Sequence, residues 1–373
     1  MPLIKANRDQ ILKPLQSVTG IVERRHTLPI LSNVLLEIKD GDISFVATDL
    51  EIQISAQQKV EGKTENGSVT LSAKKLQDIL RALPEDAEIT LEHKEPRLLV
   101  RAGKSRFNLQ TLPAKDYPRL AAATGTSNDV QIAQKTLRAL LAQVQFAMAV
   151  QDIRYYLNGL LFSIDGEQIR AVATDGHRLA YAATELKTPM KHDVILPRKS
   201  VSELIKLLTD SEEKVTISIQ VDKDNKPSQV RFSFAGVELI SKVVDGKFPD
   251  YTKVIPTNYS KHLDMNRVTL QQALQRAAIL SNEKIRGVRL VLSKDNLAII
   301  CANNEQEEAQ EELTVAYDGE PLDIGFNIAY LQDVLANASC EAVQLSLGDA
   351  NSSALITLPE DKQFKYVVMP MRI

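Results

Sequence analysis

The sequence is short of every feature that would mark a secreted, metal-bound or membrane-spanning chain. Only two cysteines occur among 373 residues, Cys301 and Cys340. They are too few for a disulfide scaffold, and no Cys-x-x-Cys or Cys/His pairing offers a zinc site. The five histidines, His26, His93, His177, His192 and His262, show no metal-ligand spacing. The longest stretch free of acidic and basic residues, Ala139 to Gln151, is interrupted by glutamines and is too short to cross a bilayer. The opening MPLIKANRDQILKPL breaks its apolar run with charges and a proline, so it does not read as a signal peptide. Neither sign of charge dominates: 45 Lys and Arg face 48 Asp and Glu, a net charge of −3. That balance excludes a chain coating nucleic acid over its whole surface but leaves room for one basic face.

Catalytic signatures are missing too. There is no Gly-x-Ser-x-Gly elbow, and Gly62-Lys63-Thr64 has Gln57 where a phosphate-binding loop needs its upstream glycine. Asp175-Gly176-His177 offers a histidine beside an acid, but no nucleophile accompanies it. The composition, 44% hydrophobic and 25% charged, is that of an ordinary globular protein and excludes a disordered chain. The expectation is a reduced, cytoplasmic, non-enzymatic protein that needs neither metal nor cofactor.

What the sequence does contain is repetition on the scale of a domain. Near the front of each third lies an apolar triad with helical spacing: Ile11, Leu15 and Val18; Leu137, Leu141 and Val144; Leu270, Leu274 and Ala277. Residues at i, i+4 and i+7 share one helical face. Pro14 falls inside the first of these helices and is expected to kink it. Two strand-like runs follow each time, joined by a turn at Asp40-Gly41, at Asp165-Gly166 and at Lys294-Asp295-Asn296. Asp-Gly between alternating apolar residues is a strong hairpin signal. The strands end on Ala47-Thr48-Asp49, Ala173-Thr174-Asp175 and Ala302-Asn303-Asn304.

A second helix comes next in each third: SAKKLQDILRAL from Ser72, PRKSVSELIKLL from Pro197 and NIAYLQDVLANA from Asn327. Closing strands run into seams at LPAKDYP, from Leu112, and FPDYTKVIP, from Phe248. The small, polar stretches Ala121–Asp129 and Pro256–His262 read as linkers. The reading is an α+β chain of three tandem copies of one domain, at 1–126, 127–257 and 258–373, each with two helices and mostly antiparallel sheet.

A row of like domains stays open or closes on itself. With two helices per repeat lining an inner surface at spacings of about 9 Å, and helix radii of about 5 Å subtracted, one chain leaves a hole of roughly 7 Å. Two chains leave about 24 Å by the same geometry and three about 42 Å. A duplex of about 20 Å, judged from its groove depths, fits the two-chain ring. The helices carry suitable charge: Lys74, Lys75 and Arg81; Arg198, Lys199 and Lys206; and Lys135, Arg138 and Arg276 on the front helices. An acidic molecule with a basic lumen attracts phosphates only from inside, without sequence preference.

These residues carry a family resemblance. TLPILSN from Thr27, QDIRYYLNG from Gln151, ATDGHRLA from Ala173, VDGKFPDY from Val244, AAILSNEKIRGVRL from Ala277 and YVVMPMRI from Tyr366 stand in the order of the bacterial DNA sliding clamps. The chain resembles that family, the β subunits of DNA polymerase III, along essentially its whole length.

The resemblance implies a head-to-tail homodimeric ring of six pseudo-repeats that encircles duplex DNA and confers processivity. It implies as partners the polymerase III alpha subunit, a clamp-loader complex, and other polymerases and repair proteins that dock by short linear peptides. Their groove would comprise Leu157, Thr174, Gly176, His177, Arg178, Leu179, Pro249, Val254, Tyr330, Ser353, Val367, Val368, Met369, Pro370, Met371 and Arg372. Met369 and Met371 suit a surface that accepts varied partners. Lys253 stands where the family commonly has Arg, and Asn351 where an aliphatic residue is familiar, which makes that flank more polar. Arg25, Gln151, Tyr155 and Tyr156 would touch DNA on one face of the ring, joining Lys75, Arg81, Arg198 and Lys199. Of the two adjacent tyrosines, read as entering a strand, one is expected in the core.

A head-to-tail contact needs two complementary surfaces. Arg97, Arg101, Lys104 and Arg106 surround Phe107 in the first repeat. The acidic run EQEEAQEE, with Glu305, Glu307 and Glu308 at its start, lies in the third. In the family, Phe107 would pack near Ile279 and Leu280. The competing reading is a scaffold that binds peptides without encircling DNA.

Overall fold

A computed structural model describes residues 2–23, 28–61, 64–120, 129–224 and 226–373. Arg25, and all of the first expected linker except Asp129, lie outside the described residues. By internal contacts the chain divides into two compact units, Met1–Lys135 with Ser202–Val243, and Thr136–Val201 with Val244–Ile373.

The first unit is built on one antiparallel sheet of twelve strands. In spatial order they are Pro2–Asn7, Glu88–Lys94, Arg97–Ala102, Ser105–Leu112, Gly67–Ser72, Asn33–Lys39, Asp42–Thr48, Ile52–Lys59, Val237–Lys242, Pro227–Phe234, Lys214–Val221 and Asp129–Ala133. The strands of the first repeat continue into those of the second where Ile52–Ala56 pairs with Val237–Ser241. The second unit holds an eight-stranded sheet ordered His192–Pro197, Gly159–Ile164, Gln168–Thr174, Arg178–Glu185, Asp361–Val368, Ala354–Leu358, Ala342–Leu347 and Lys261–Asn266. Here the second repeat joins the third through Arg178–Tyr181 on Lys365–Val368. A separate four-stranded sheet runs Glu308–Thr314, Asn296–Ala302, Gly287–Ser293 and Leu322–Asn327.

Six α-helices accompany these sheets among the described residues: α1 Arg8–Val18, α2 Ala73–Ala82, α3 Gln134–Gln145, α4 Arg198–Leu207, α5 Arg267–Ala277 and α6 Ile328–Asn337. All three apolar triads are buried, as helical spacing requires. Pro14 lies within α1 without interrupting it. The helix starts are capped by side chains: Asn7 and Gln10 form a capping box on α1, Ser72 accepts from Lys75 N–H at α2, and Asn266 and Asn327 cap α5 and α6. None of the described helices is long and apolar enough to cross a membrane.

Two of the three hairpins close as two-residue turns. Asp40 and Gly41 both adopt positive φ, 52° and 91°, the signature of a type I′ turn. At the third, Ser293 pairs with Asn296 around Lys294-Asp295. The middle hairpin is longer than the expected Asp-Gly turn. The Asp165 side chain accepts from the N–H of both Glu167 and Gln168, and four residues, Asp165–Gln168, lie between the paired Ile164 and Ile169.

The strand-ending tripeptides build one recurring turn. Thr48 Oγ1 donates to Ile52 O (2.8 Å) and Thr174 Oγ1 to Arg178 O (2.6 Å). Asp49 Oδ1 accepts from Glu51 and Ile52 N–H, and Asp175 Oδ1 from His177 and Arg178 N–H. Asn303 caps the third copy through Glu305 and Glu307 N–H. The sequence echo is therefore an echo of hydrogen bonds.

Candidate functional site

In the second unit, the Thr174–Arg178 turn borders a cavity of about 210 Å³. Three of its lining residues, Leu179, Phe248 and Val367, belong to a buried cluster with Leu161, Val172 and Ile195, against which Tyr156 and Tyr251 pack. Of the residues expected to form a peptide groove, Leu157, Thr174, Gly176, His177, Arg178, Leu179, Pro249, Val254, Val367 and Met369 line it. Val254 and Met369 are 41% and 48% exposed, so apolar surface is offered at the rim. Met369 is held by its N–H on the His177 carbonyl (2.9 Å) and Met371 by its N–H on the Gly325 carbonyl (2.8 Å).

The remaining expected groove residues lie outside that lining. Tyr330 stacks on Arg178 instead, with the guanidinium carbon 4.4 Å from the ring centroid. Val368 is buried in the sheet opposite Arg178 and Ala354. Ser353 accepts from the Tyr259 hydroxyl through its carbonyl. Pro370, Met371 and Arg372 follow Met369, and of these three only Arg372 is exposed. Lys253 is exposed and pairs with Asp250.

Four lining residues go beyond the groove that the sequence predicts: Arg154, Tyr156, Phe248 and Tyr251. Tyr156, expected at the DNA, is among the residues that line this cavity. Arg154 is held on Asp152 through Nε (3.0 Å) and Nη2 (2.8 Å), and Nη2 also donates to the Asp175 carbonyl (3.1 Å). These hydrogen bonds pull the Asp152 carboxyl down to about 2. Arg178 is more enclosed. Burial works against its charge, but the neighbouring Tyr366 hydroxyl and the Asp333 and Asp175 carboxylates outweigh that and hold it protonated more firmly than usual.

Tyr155 and Tyr156 lie in a short 3₁₀ turn, Tyr155–Leu157, that leads into the strand Gly159–Ile164, as expected of a loop entering a strand. The turn still separates them: Tyr155 is 57% exposed, whereas Tyr156 is half-buried. Gln151 is exposed with φ 54°. Arg198 is half-buried and donates to the Met148 carbonyl (2.8 Å); Lys199 is also half-buried.

In the first unit, Lys13, Lys74, Lys75, Arg81 and Lys206 line a cleft of about 1040 Å³ together with Glu23, Asp78 and Glu203. Lys74, Lys75 and Arg81 are exposed, and their side chains have no ion pair among the described residues. Not every expected lumen cation is so available. Lys135 pairs with Glu212 (2.6 Å), Lys206 with Glu203 (2.6 Å), and Arg276 bidentately with Glu311 (2.9 and 2.5 Å). Arg276 thus belongs electrostatically to the acidic strand, not to a free basic face.

That strand, Glu308–Thr314, is an outer edge of the four-stranded sheet. Glu305, Glu307 and Glu308 are exposed, and Glu307 accepts from the Asn303 amide (2.6 Å). The nearby Ile279 is 77% exposed, with Leu280 half-buried beside it. In the first unit, Ser105–Leu112 pairs fully with Arg97–Ala102 but touches its other neighbour only at Thr111 and Leu112. Residues 105–110 therefore leave a second open edge among the described residues. It carries Lys104 and Arg106, both exposed, and half-buried Phe107; Arg97 is exposed on the adjoining strand, while Arg101 lies 3.4 Å from Glu92. No group of three His, Cys, Asp or Glu side chains among the described residues is placed to hold a metal.

Comparison with known proteins covers the whole chain. Residues 3–121, 131–250 and 252–372 match, in order, the N-terminal, central and C-terminal domains of the DNA polymerase III beta subunit. The beta sliding clamp of Vibrio cholerae is 46% identical over 370 residues, spanning 98% of each chain. That of Escherichia coli K12 is 45% identical over 369 residues, again 98% of each. Among solved structures, a Pseudomonas aeruginosa sliding clamp bound to griselimycin superposes with a TM-score of 0.94 at 45% identity, over 99% of both chains. A Caulobacter crescentus beta subunit gives 0.91 at 38%, over 100% of both.

Proposed function

The chain belongs to the DNA polymerase III beta subunit family, the sliding clamps, and from that membership we propose how its own residues carry out the work of a replication processivity factor. Two copies close head to tail into a ring around duplex DNA. The three repeats of each copy, 1–126, 127–257 and 258–373, supply six clamp domains and twelve helices.

Ring closure is supported by the two open strand edges. Among the described residues, 105–110 and Glu308–Thr314 are both unpaired on one side. An edge strand is a template for pairing with another chain. The first is flanked by Arg97, Lys104 and Arg106, the second by Glu305, Glu307 and Glu308. Opposite charge at the two edges favours joining unlike ends and disfavours joining like ones. Phe107 and the exposed Ile279 supply the apolar centre that charges alone would lack.

DNA is held loosely. Lys74, Lys75 and Arg81, with Arg198 and Lys199, meet phosphates, and Gln151 and Tyr155 lie at the ring face where duplex enters. Few, sequence-independent contacts allow sliding. The polymerase alpha subunit, other polymerases and repair proteins insert short apolar peptides between Val254 and Met369, and an ATP-driven clamp-loader complex opens the ring. Tethering keeps the polymerase at high effective concentration near the primer end between dissociation events. The chemistry of nucleotide addition stays with the polymerase, and the work is done in the cytoplasm.

The observation that carries this reading is the match of all three domains, in order, over the full length. Light scattering behind a sizing column tests the closure. A mass of twice 41.4 kDa is expected; a strict monomer at micromolar concentration would leave too few helices to surround a duplex and would favour the scaffold reading.

A further inference from the structure

We infer that Asp333, on α6 and outside the cavity lining, is a positioning residue for the peptide groove, acting through Arg178. The inference rests on the groove reading above. The Arg178 guanidinium is fixed by three groups from three parts of the unit. Nε donates to Asp175 Oδ2 (3.0 Å), Nη1 to Asp333 Oδ2 (2.5 Å) and Nη2 to the Phe146 carbonyl (2.7 Å). Its faces are covered by Tyr330, at 4.4 Å, and Phe146, at 5.7 Å. With only 10% of the side chain exposed, the charge has no face left for a ligand. What Arg178 presents to the groove is its stem and its backbone.

The guanidinium reaches the groove through Asp175. One oxygen of that carboxylate binds Arg178 Nε, and the other accepts the N–H of His177 (2.9 Å) and of Arg178 (3.1 Å). His177 in turn holds Met369 by its carbonyl. The turn that brings Thr174, Gly176 and His177 to the cavity is therefore keyed to where the guanidinium lies. Among the described residues, Asp333 is the one carboxylate paired with it that comes from outside the turn.

The turn does not need this anchor to form. In the first repeat the same turn closes with the same threonine and aspartate hydrogen bonds, and Ile52 stands where Arg178 stands. The arginine and its partner on α6 are found where the turn borders a cavity. That separates a role in setting groove geometry from a role in making the fold.

The test measures griselimycin binding to the intact protein by calorimetry, in wild type, Asp333→Asn, Asp333→Glu and Gly176→Ala, with thermal melts of each. Asp333→Asn is expected to melt slightly lower, because an intramolecular charged hydrogen bond is lost, and to bind about tenfold more weakly because the turn is no longer held in place, with Asp333→Glu recovering most of the affinity. Unchanged binding in Asp333→Asn, while Gly176→Ala loses it, overturns the inference and leaves the groove standing. Binding and melting temperature falling together, without recovery in Asp333→Glu, overturns it in favour of a purely structural role. Griselimycin that binds Gly176→Ala as well as wild type, or fails to bind wild type, removes the groove reading and this inference with it.

Discussion

The guanidinium of Arg154 lies across the backbone of Gly176, with Nη1 and Nη2 each 2.9 Å from the point where a Cβ on that glycine would project. Gly176 also has φ 90°, a conformation that a side chain disfavours. Arg154 cannot swing aside freely, because Asp152 and the Asp175 carbonyl both hold it. Gly176→Ala is therefore expected to strain the turn and displace Arg154 into the cavity. Affinity for griselimycin or a client peptide should fall by at least about tenfold, with the far-ultraviolet spectrum unchanged; calorimetry checks it. The Asp152–Arg154 pair itself persists until pH falls through about 2, so it makes no pH dependence near neutrality.

Lys74, Lys75 and Arg81 are the cations of α2 that the fold leaves uncommitted. Replacing all three with alanine is expected to weaken duplex binding equally for any sequence. The slope of log K against log salt should become shallower by about 0.9 for each phosphate that is no longer neutralised. Fluorescence anisotropy across a salt series measures it. Arg276→Ala, whose charge is already engaged by Glu311, should change that slope far less.

Reversing the basic edge with Lys104→Glu and Arg106→Glu is expected to loosen self-association by at least about tenfold. Adding Glu305→Lys and Glu308→Lys to the same chain should restore much of it, since unlike ends would again be opposite in sign. Sedimentation velocity over a range of concentrations separates the three proteins.

Tyr117 is buried, accepting from Thr48 N–H and donating to the Asn33 carbonyl, both at 3.2 Å. Burial pushes its hydroxyl up from 10 to about 12. Between those values the unfolded chain has lost the proton while the folded chain keeps it, so rising pH favours unfolding. The stabilisation is whole below pH 10 and is lost progressively toward 12, a change of order 3 kcal/mol for two units. Urea titrations at stepped alkaline pH should show this fall, and Tyr117→Phe should flatten it at the expense of about 1 kcal/mol at neutral pH.

Much of this is legible in the sequence alone. The three apolar triads and the Asp40-Gly41 turn follow from periodicity and from backbone preferences that act over a few residues. The Asp165-Gly166 hairpin departs from expectation because the Asp165 carboxylate captures two neighbouring N–H groups, a choice that spacing alone does not reveal. Arg154 and Tyr156 escape a sequence reading of the groove because they flank and enter the same compact 3₁₀ turn as Tyr155, where neighbours in sequence face different surroundings. Phe248 and Tyr251 read in sequence as part of a seam between domains, yet the same apolar bulk that closes the strand also lines the cavity. The pairing of Arg276 with Glu311 joins a helix to a strand far along the chain, and no local pattern announces it.

Encirclement is a topological claim, and topology tests it most directly. The protein is loaded by a clamp loader onto a nicked circular duplex, freed of unbound protein by gel filtration, and the DNA is then cut once with a restriction enzyme. A ring threaded by DNA should stay with the circle through a high-salt wash and leave within minutes of cutting, by sliding off the ends. Retention that is the same on circular and linear DNA, or that salt abolishes on both alike, would contradict encirclement and reduce the basic cleft to an ordinary surface contact.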